Sequence, residues 1–215
     1  MPDRPRLPCW VVTGPIGAGK SLAVEEFAHR GAAVVDADRL GHAVLRDPDV
    51  VAALRDRWGP GILAGGEVDR AAVARRVFAD PGELAWLESV THPRLAARIG
   101  EAVAAAARRD PLPPLAVVEA AVYFRLPPWG PVDLVVVVTA PERLRLERLA
   151  ASGRLTPEEA RARIASQRPL EAAFRRADVA LDNSGGPASL RAAVRRLLHE
   201  HGLFASTGGA DERDA

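Results

Sequence analysis

The sequence predicts an α/β fold in which a parallel sheet is flanked by helices, and three observations carry the prediction. An apolar run at 9–13 leads through a glycine-rich turn into a helical stretch at 21–29, then into a second apolar run at 32–35. Strand, helix and strand in that order imply parallel pairing, because a crossover of this length returns the chain in the same direction. Two later runs, 115–118 and 133–139, have strand length and are rich in Val. The block before them, 39–109, is mainly helical and holds no run fit for a central strand.

The elements follow in order. Gly14 closes the first strand, and Gly31 stops the first helix, whose apolar positions include Leu22, Val24 and Phe27. Asp36-Ala37-Asp38 closes the second strand. Gly59-Pro60-Gly61 and Gly65-Gly66 mark turns, with a short extended piece at 61–64 between them. Asp69 suits the cap of a helix over 70–78, and Pro81 begins another. Thr91-His92-Pro93 is expected to interrupt that helix before an Ala/Arg-rich one runs to Arg109. The block 39–110 reads as a helical insert on the sheet, a place for an acceptor pocket. After the break at 110–114, the third strand ends in Glu119. Pro141 is expected at the first position of a helix reaching about Ala151. Thr156-Pro157-Glu158-Glu159 has the form of a capping box, opening a helix that ends near Gln167. A short strand at 179–181 and an amphipathic helix at 187–200 complete a single domain over 1–204, with its core at 9–38 and 115–200. The tail 205–215 is small and charged, and is expected to be disordered.

Composition narrows the function. The chain has 215 residues, enough for one α/β domain with an insert. Its 29 basic and 28 acidic side chains nearly cancel, so no global basic field points to nucleic acid. Its apolar runs are too short to span a bilayer, and no leader-like stretch opens the chain, which reads as cytoplasmic and monomeric. Cys9 is the single cysteine, which excludes an internal disulfide and fits a small buried core residue. Lys20 is the only lysine; every other basic residue is arginine. An ammonium is a compact point charge on a slim stem, so a site that needs that shape resists replacement by a wide guanidinium.

Lys20 falls in Gly14-Pro15-Ile16-Gly17-Ala18-Gly19-Lys20-Ser21, which fits G-x-x-x-x-G-K-[ST] at every position. A chance match in a chain of this length is on the order of one per cent. The glycines let the backbone wrap and turn its N–H groups onto phosphate oxygens, and the next helix offers them its positive end. Ile16, Gly17, Ala18 and Leu22 belong to the same nucleotide-holding segment. Lys20 reaches the terminal phosphates of ATP, and the Ser21 hydroxyl is a ligand for Mg²⁺. The sheet is therefore of the P-loop NTPase type. No N-K-x-D guanine motif is present, which argues against a GTPase. Asp36 and Asp38 follow the second strand, which is expected beside the P-loop strand. An acid there orients an acceptor hydroxyl and takes its proton; Asp36 is equally a candidate helix cap. Glu119 sits where a carboxylate holds Mg²⁺ through water, close to substrate.

Other stretches separate the many families that share such a loop. GAAVVDADRLGHAV, VDRAAVARRVFADP, THPRL, VDLVVVVTAPERLRLERL, LTPEEARARIASQRPLE and ADVALDNSG follow VTGPIGAGKS in this order. Together they resemble dephospho-CoA kinase, the last enzyme of coenzyme A synthesis, over nearly all of 10–200. The resemblance implies a P-loop core, a helical CoA-binding insert and a mobile lid at about 148–170. It implies transfer of the γ-phosphoryl of ATP, with Mg²⁺, to the ribose 3′-hydroxyl of dephospho-CoA. It makes Asp38 the catalytic acid, acting with Lys20 and with Arg148 as a lid arginine facing the phosphates. It puts Gln167 on the lid helix, Asn183 in the loop near adenine, and His92 and Pro93 in the acceptor part.

Some positions depart from the family. Its acid followed by Pro-Leu-Leu-Phe-Glu becomes Glu119-Ala120-Ala121-Val122-Tyr123-Phe124-Arg125, which loses the proline at Ala121 and reverses the charge at Arg125. Ser152 stands where a second lid arginine is expected, with Arg154 two positions on as a replacement. Ala173 replaces a basic residue, with Arg175 and Arg176 close by, and Leu22 replaces a second hydroxyl residue. These departures keep two alternatives open: a related kinase with another small acceptor, and a nucleotide- or CoA-binding module with little catalysis.

Overall fold

A computed structural model describes residues 6–153 and 155–203. The tail 205–215 and the replacement expected at Arg154 lie outside the described residues.

Five parallel strands form the central sheet: β1 (Cys9–Thr13), β2 (Ala33–Asp36), β5 (Ala116–Glu119), β6 (Leu134–Thr139) and β7 (Val179–Asp182), in the spatial order β2-β5-β1-β6-β7. One expectation is corrected here. β2 does not lie beside β1, because the chain returns after the insert to place β5 between them. Asp36 pairs in register with Glu119, and Glu119 with Val12, so the acids and the start of the P-loop still share one edge of the sheet. β1 is central, with neighbours reached by different crossovers on its two sides, and the crevice beyond its carboxyl end is where such sheets bind ligands.

Alternation along β1 divides the core. Cys9 and Val11 face one side of the sheet with Val35, Val118 and the insert residues Leu54 and Ile99. Trp10 and Val12 face the other, with Phe27 of α1 (Lys20–His29) and with Leu190 and Val194 of α8 (Pro187–Glu200). The period of two in a strand puts neighbours on opposite faces, and parallel strands covered on both faces are continuously apolar. Cys9 is buried, and burial pushes its thiol up to about 11, so it stays neutral.

The insert consists of α2 (Ala37–Val44), α3 (Pro48–Trp58), a hairpin of β3 (Leu63–Ala64) with β4 (Glu67–Val68), α4 (Arg70–Ala79) and α5 (Pro81–Ala106). Asp69 caps α4 as expected, accepting from the amides of Ala71 and Ala72. The expected break at Pro93 is absent: α5 passes straight through it. Side chains supplement the ladder there. Thr91 Oγ1 donates to the Leu87 carbonyl (2.8 Å) and the Arg94 guanidinium to the Val90 carbonyl (2.9 Å). Leu95 and Ile99, just beyond, are buried and hold the helix down.

α6 (Glu142–Ala151) follows β6, with Pro141 one place earlier than expected, at its cap. α7 (Pro157–Phe174) opens on the capping box of Thr156 and Glu159. It runs past Gln167 and through Pro169, longer than the sequence suggested, because Phe174 is buried against Phe124 at its far end. Among the described residues no helix is long and apolar enough to cross a membrane.

Replacing Asp69 with Ala is expected to lower stability by about 1 kcal/mol through loss of the cap. Equilibrium urea unfolding of the two proteins measures this as a lower midpoint with an unchanged slope.

Candidate active site

The loop at 14–19 leaves the carboxyl end of β1 and enters α1 with no side-chain cap and no acid in the helix's first turn. That end of α1 is therefore open and positive, as an anion site requires. Three glycines are forced by crowding, Gly14 at φ +138° against the Val138 carbonyl oxygen being the first. Gly17 has φ +76° and packs on the backbone of α6: a Cβ there would lie 2.9 Å from the Arg145 carbonyl oxygen. Gly19 has φ +102°, and a Cβ there would collide with the Asn183 amide. Only glycine accepts both the dihedral and the approach.

Lys20 Nζ donates to the carbonyls of Gly14 (3.0 Å) and Pro15 (3.2 Å), which folds the ammonium over the loop. Burial lowers its proton affinity; the charges of Glu119 and Asp38 act the other way, and that of Arg145 adds to the lowering. Ser21 Oγ donates to Glu119 Oε1 at 3.0 Å. The two side chains expected to hold a metal ion thus meet, one from α1 and one from the end of β5. Burial raises the Glu119 carboxyl above its ordinary value, against the Ser21 hydrogen bond and Lys20. This donor set suits Mg²⁺, a hard cation that takes few protein oxygens and completes its shell with water and phosphate. Asp38 is exposed in the first turn of α2, close enough for its charge to act on Lys20. Asp36 caps α2 by accepting from the Arg39 amide at 2.9 Å, so the capping role weighed from sequence is present. Leu22 packs on the α1 side of the core.

The other wall comes from α6, α7 and the loop after β7. Asn183 is 2% exposed and its Nδ2 donates to the Ala18 carbonyl (2.8 Å), bracing the loop from behind. Arg148 donates to the Asn183 carbonyl (2.8 Å) and lies 3.4–3.5 Å from the carbonyls of Ala18 and Gly17. Gln167 Oε1 accepts from the Ile16 amide at 2.7 Å, so α7 touches the P-loop directly. Sequence reasoning missed Arg145, which is buried beside the loop and paired with Glu171 of α7 at 3.0 Å. Its spacing of three from Arg148 puts both on one face of α6, a signal the sequence does contain.

His92 belongs to a different cluster. Its ring Nδ1 lies 3.2 Å from the Arg125 carbonyl oxygen, and burial lowers its proton affinity. Arg125, reversed in charge relative to the family, pairs with Glu88 of α5 and so ties the 123–125 turn to the insert. Arg176 stacks over Phe124 at 5.2 Å, whereas Ala173 is half-buried on α7.

A family model described as dephospho-CoA kinase matches residues 9–189. A dephospho-CoA kinase of Deinococcus radiodurans is 42% identical over 190 residues, which cover 86% of this chain and 90% of that one. One from Syntrophotalea carbinolica is 35% identical, covering 87% and 89%. Among solved structures, TT1252 from Thermus thermophilus superimposes with a TM-score of 0.74 at 32% identity, over 91% of this chain and 98% of that one.

Ionised Glu119 is a strained partner at neutral pH. A carboxyl whose folded value is raised gives stability that is full below its unfolded value and is lost as pH rises through the folded value. Glu119→Gln is therefore expected to melt above the wild type at neutral pH, with the gap closing once acid protonates Glu119. Thermal melts across pH 4–8 test this; a gap that persists at the acid end would contradict it.

Proposed function

The chain belongs to the dephospho-CoA kinase family, and on that premise we propose how its own residues carry out the reaction. The activity is transfer of the γ-phosphoryl group of ATP to the ribose 3′-hydroxyl of dephospho-CoA, which yields coenzyme A and ADP. The observation that carries the assignment of roles is the meeting of Lys20, Ser21, Glu119 and the charge of Asp38 at the mouth of one complete phosphate loop.

The amides of 14–19 and the open end of α1 bind the phosphates of ATP. Lys20 exchanges the carbonyls of Gly14 and Pro15 for phosphate oxygens, which regain for the ammonium the counter-charge that burial withholds. Ser21 and Glu119 hold Mg²⁺, which supplies neutralisation of the charge on the transferring group. Asp38, exposed in the first turn of α2, accepts the proton of the attacking 3′-hydroxyl. The new O–P bond forms as the bridge to the β-phosphate breaks, and ADP carries away the electron pair. Arg148 stabilises the negative oxygens from the α6 side. Asp36 fixes the start of α2 and so the aim of Asp38. His92, with Arg125 and Glu88, forms part of the acceptor wall of the insert. The lid is the α6–α7 pair, which meets the loop through Arg145 and Arg148 of α6 and Gln167 of α7. The near-neutral charge and the small-molecule site support a cytoplasmic enzyme without a nucleic-acid partner.

Incubation with ATP, Mg²⁺ and dephospho-CoA, followed by mass spectrometry, is expected to reveal coenzyme A. Lys20→Ala should abolish turnover. Asp38→Asn should lower kcat by about 10²–10⁴-fold with ATP affinity retained, since it removes the base and leaves the phosphate loop. ATP binding with no coenzyme A formed would point instead to a binding module. Product with a different acceptor would redirect the specificity.

A further inference from the structure

Arg145 is a buried cation that is only partly satisfied. It is 5% exposed, on the second turn of α6, with its backbone against Gly17. One terminal nitrogen, Nη2, donates to Glu171 Oε1 at 3.0 Å. Nε and Nη1 are buried and have no hydrogen-bond partner. Glu171 is 41% exposed in its side chain, so part of its charge is spent on water rather than on Arg145.

This arrangement is costly if it serves only the fold. Arginine keeps its charge under all ordinary conditions, so it does not escape burial by losing a proton. Buried donors without acceptors are rare, and a buried ion pair adds less stability than apolar packing of equal volume. A leucine or methionine would fill most of the same space between α6 and α7 without the penalty. The location supplies a reason for the charge. The field of Arg145 reaches Lys20 and adds to the lowering of its proton affinity, so two buried cations stand within interaction range beside the same loop. They repel each other there, and a polyanion bound between them relieves both. Nε and Nη1 point in different directions from the guanidinium, so they offer two separate charge-assisted donors, each fit for its own phosphate oxygen.

We propose that Arg145 is a nucleotide phosphate-binding residue of this kinase, whose unpartnered Nε and Nη1 each donate to a phosphate oxygen of ATP while Glu171 holds Nη2. This rests on the reading of the P-loop as an ATP site. It supplies a phosphate-facing cation from α6 in addition to Arg148, in a lid where position 152 is serine and carries no charge.

The test compares ATP with adenosine, which lacks phosphate, by isothermal titration. Arg145→Met, close in volume, is expected to weaken ATP about 10–100-fold, as loss of charge-assisted hydrogen bonds does, and to change adenosine affinity less than about twofold. A variant with altered melting temperature but an unchanged ATP-to-adenosine ratio would mean a structural role only and would overturn the proposal. Should Arg145→Met fail to fold, Arg145→Lys keeps the charge and the stem but loses the separate Nε and Nη1 donors. The ratio is then expected to fall at least about fivefold, and an unchanged ratio again overturns the proposal. Wild-type protein that binds no ATP would defeat the ATP-site reading and this inference together. Tight wild-type binding that Arg145→Met matches would defeat the inference alone.

Discussion

A loop of six residues between β1 and α1 must wrap with its amides inward, and the surrounding structure is arranged to hold that wrap. The loop has almost no side chains of its own with which to brace itself. Its rigidity is borrowed: from Asn183 behind Ala18, from the Arg145 backbone against Gly17, from Arg148 across three carbonyls and from Gln167 on Ile16. These come from α6, α7 and the segment after β7, so the carboxyl-terminal half of the chain serves chiefly as scaffold for a short stretch near the amino-terminal end. Preorganised dipoles of this kind act on charge without reorganising at the moment of reaction, which is why rigidity in the loop matters more than any single contact.

Charge around the loop follows a division of labour. The cations Lys20, Arg145 and Arg148 come from α1 and α6, whereas the carboxylates Glu119, Asp36 and Asp38 stand at the carboxyl ends of β5 and β2 or at the start of α2. The sheet order produces this separation, since inserting β5 next to β1 brings Glu119 within reach of Ser21. Burial then works against both signs: it lowers the proton affinity of Lys20 and raises that of Glu119. Each charge is dear alone and cheaper with a phosphate or a metal ion between them, so binding and electrostatic relief are one event.

The sequence made some of this plain and hid the rest. The P-loop was legible because each of its positions has a separate chemical requirement, and Asp69 because a cap is a local contact. The three inner strands, β1, β5 and β6, were legible because strands buried on both faces are apolar almost without interruption, and the edge strands β2 and β7 as short apolar runs between turn signals. The order of those strands was not, since the place of β5 depends on a return across the whole insert. Pro93 was read as a break and the helix from 157 as ending near Gln167, but each helix runs on because buried residues further along, Leu95 and Phe174, hold it in place. Tertiary packing there outweighs a local preference. Arg145 was hidden for a similar reason: one arginine among many on a charged helix gives no sign of being the buried one. Arg125 looked like a defect because its partner, Glu88, lies on a helix far away in sequence.

The solitary lysine has a practical side. Reagents that acylate amines usually scatter over a protein's surface, and their effects are hard to assign. In this chain the only side-chain amine is Lys20, and its lowered proton affinity leaves more of it in the nucleophilic form at mild pH. Apart from the α-amino group, which peptide mapping separates, a covalent tag would therefore settle at the phosphate loop without mutagenesis. The degree to which a bound nucleotide shields it would give a direct reading of occupancy, residue-specific by virtue of composition alone.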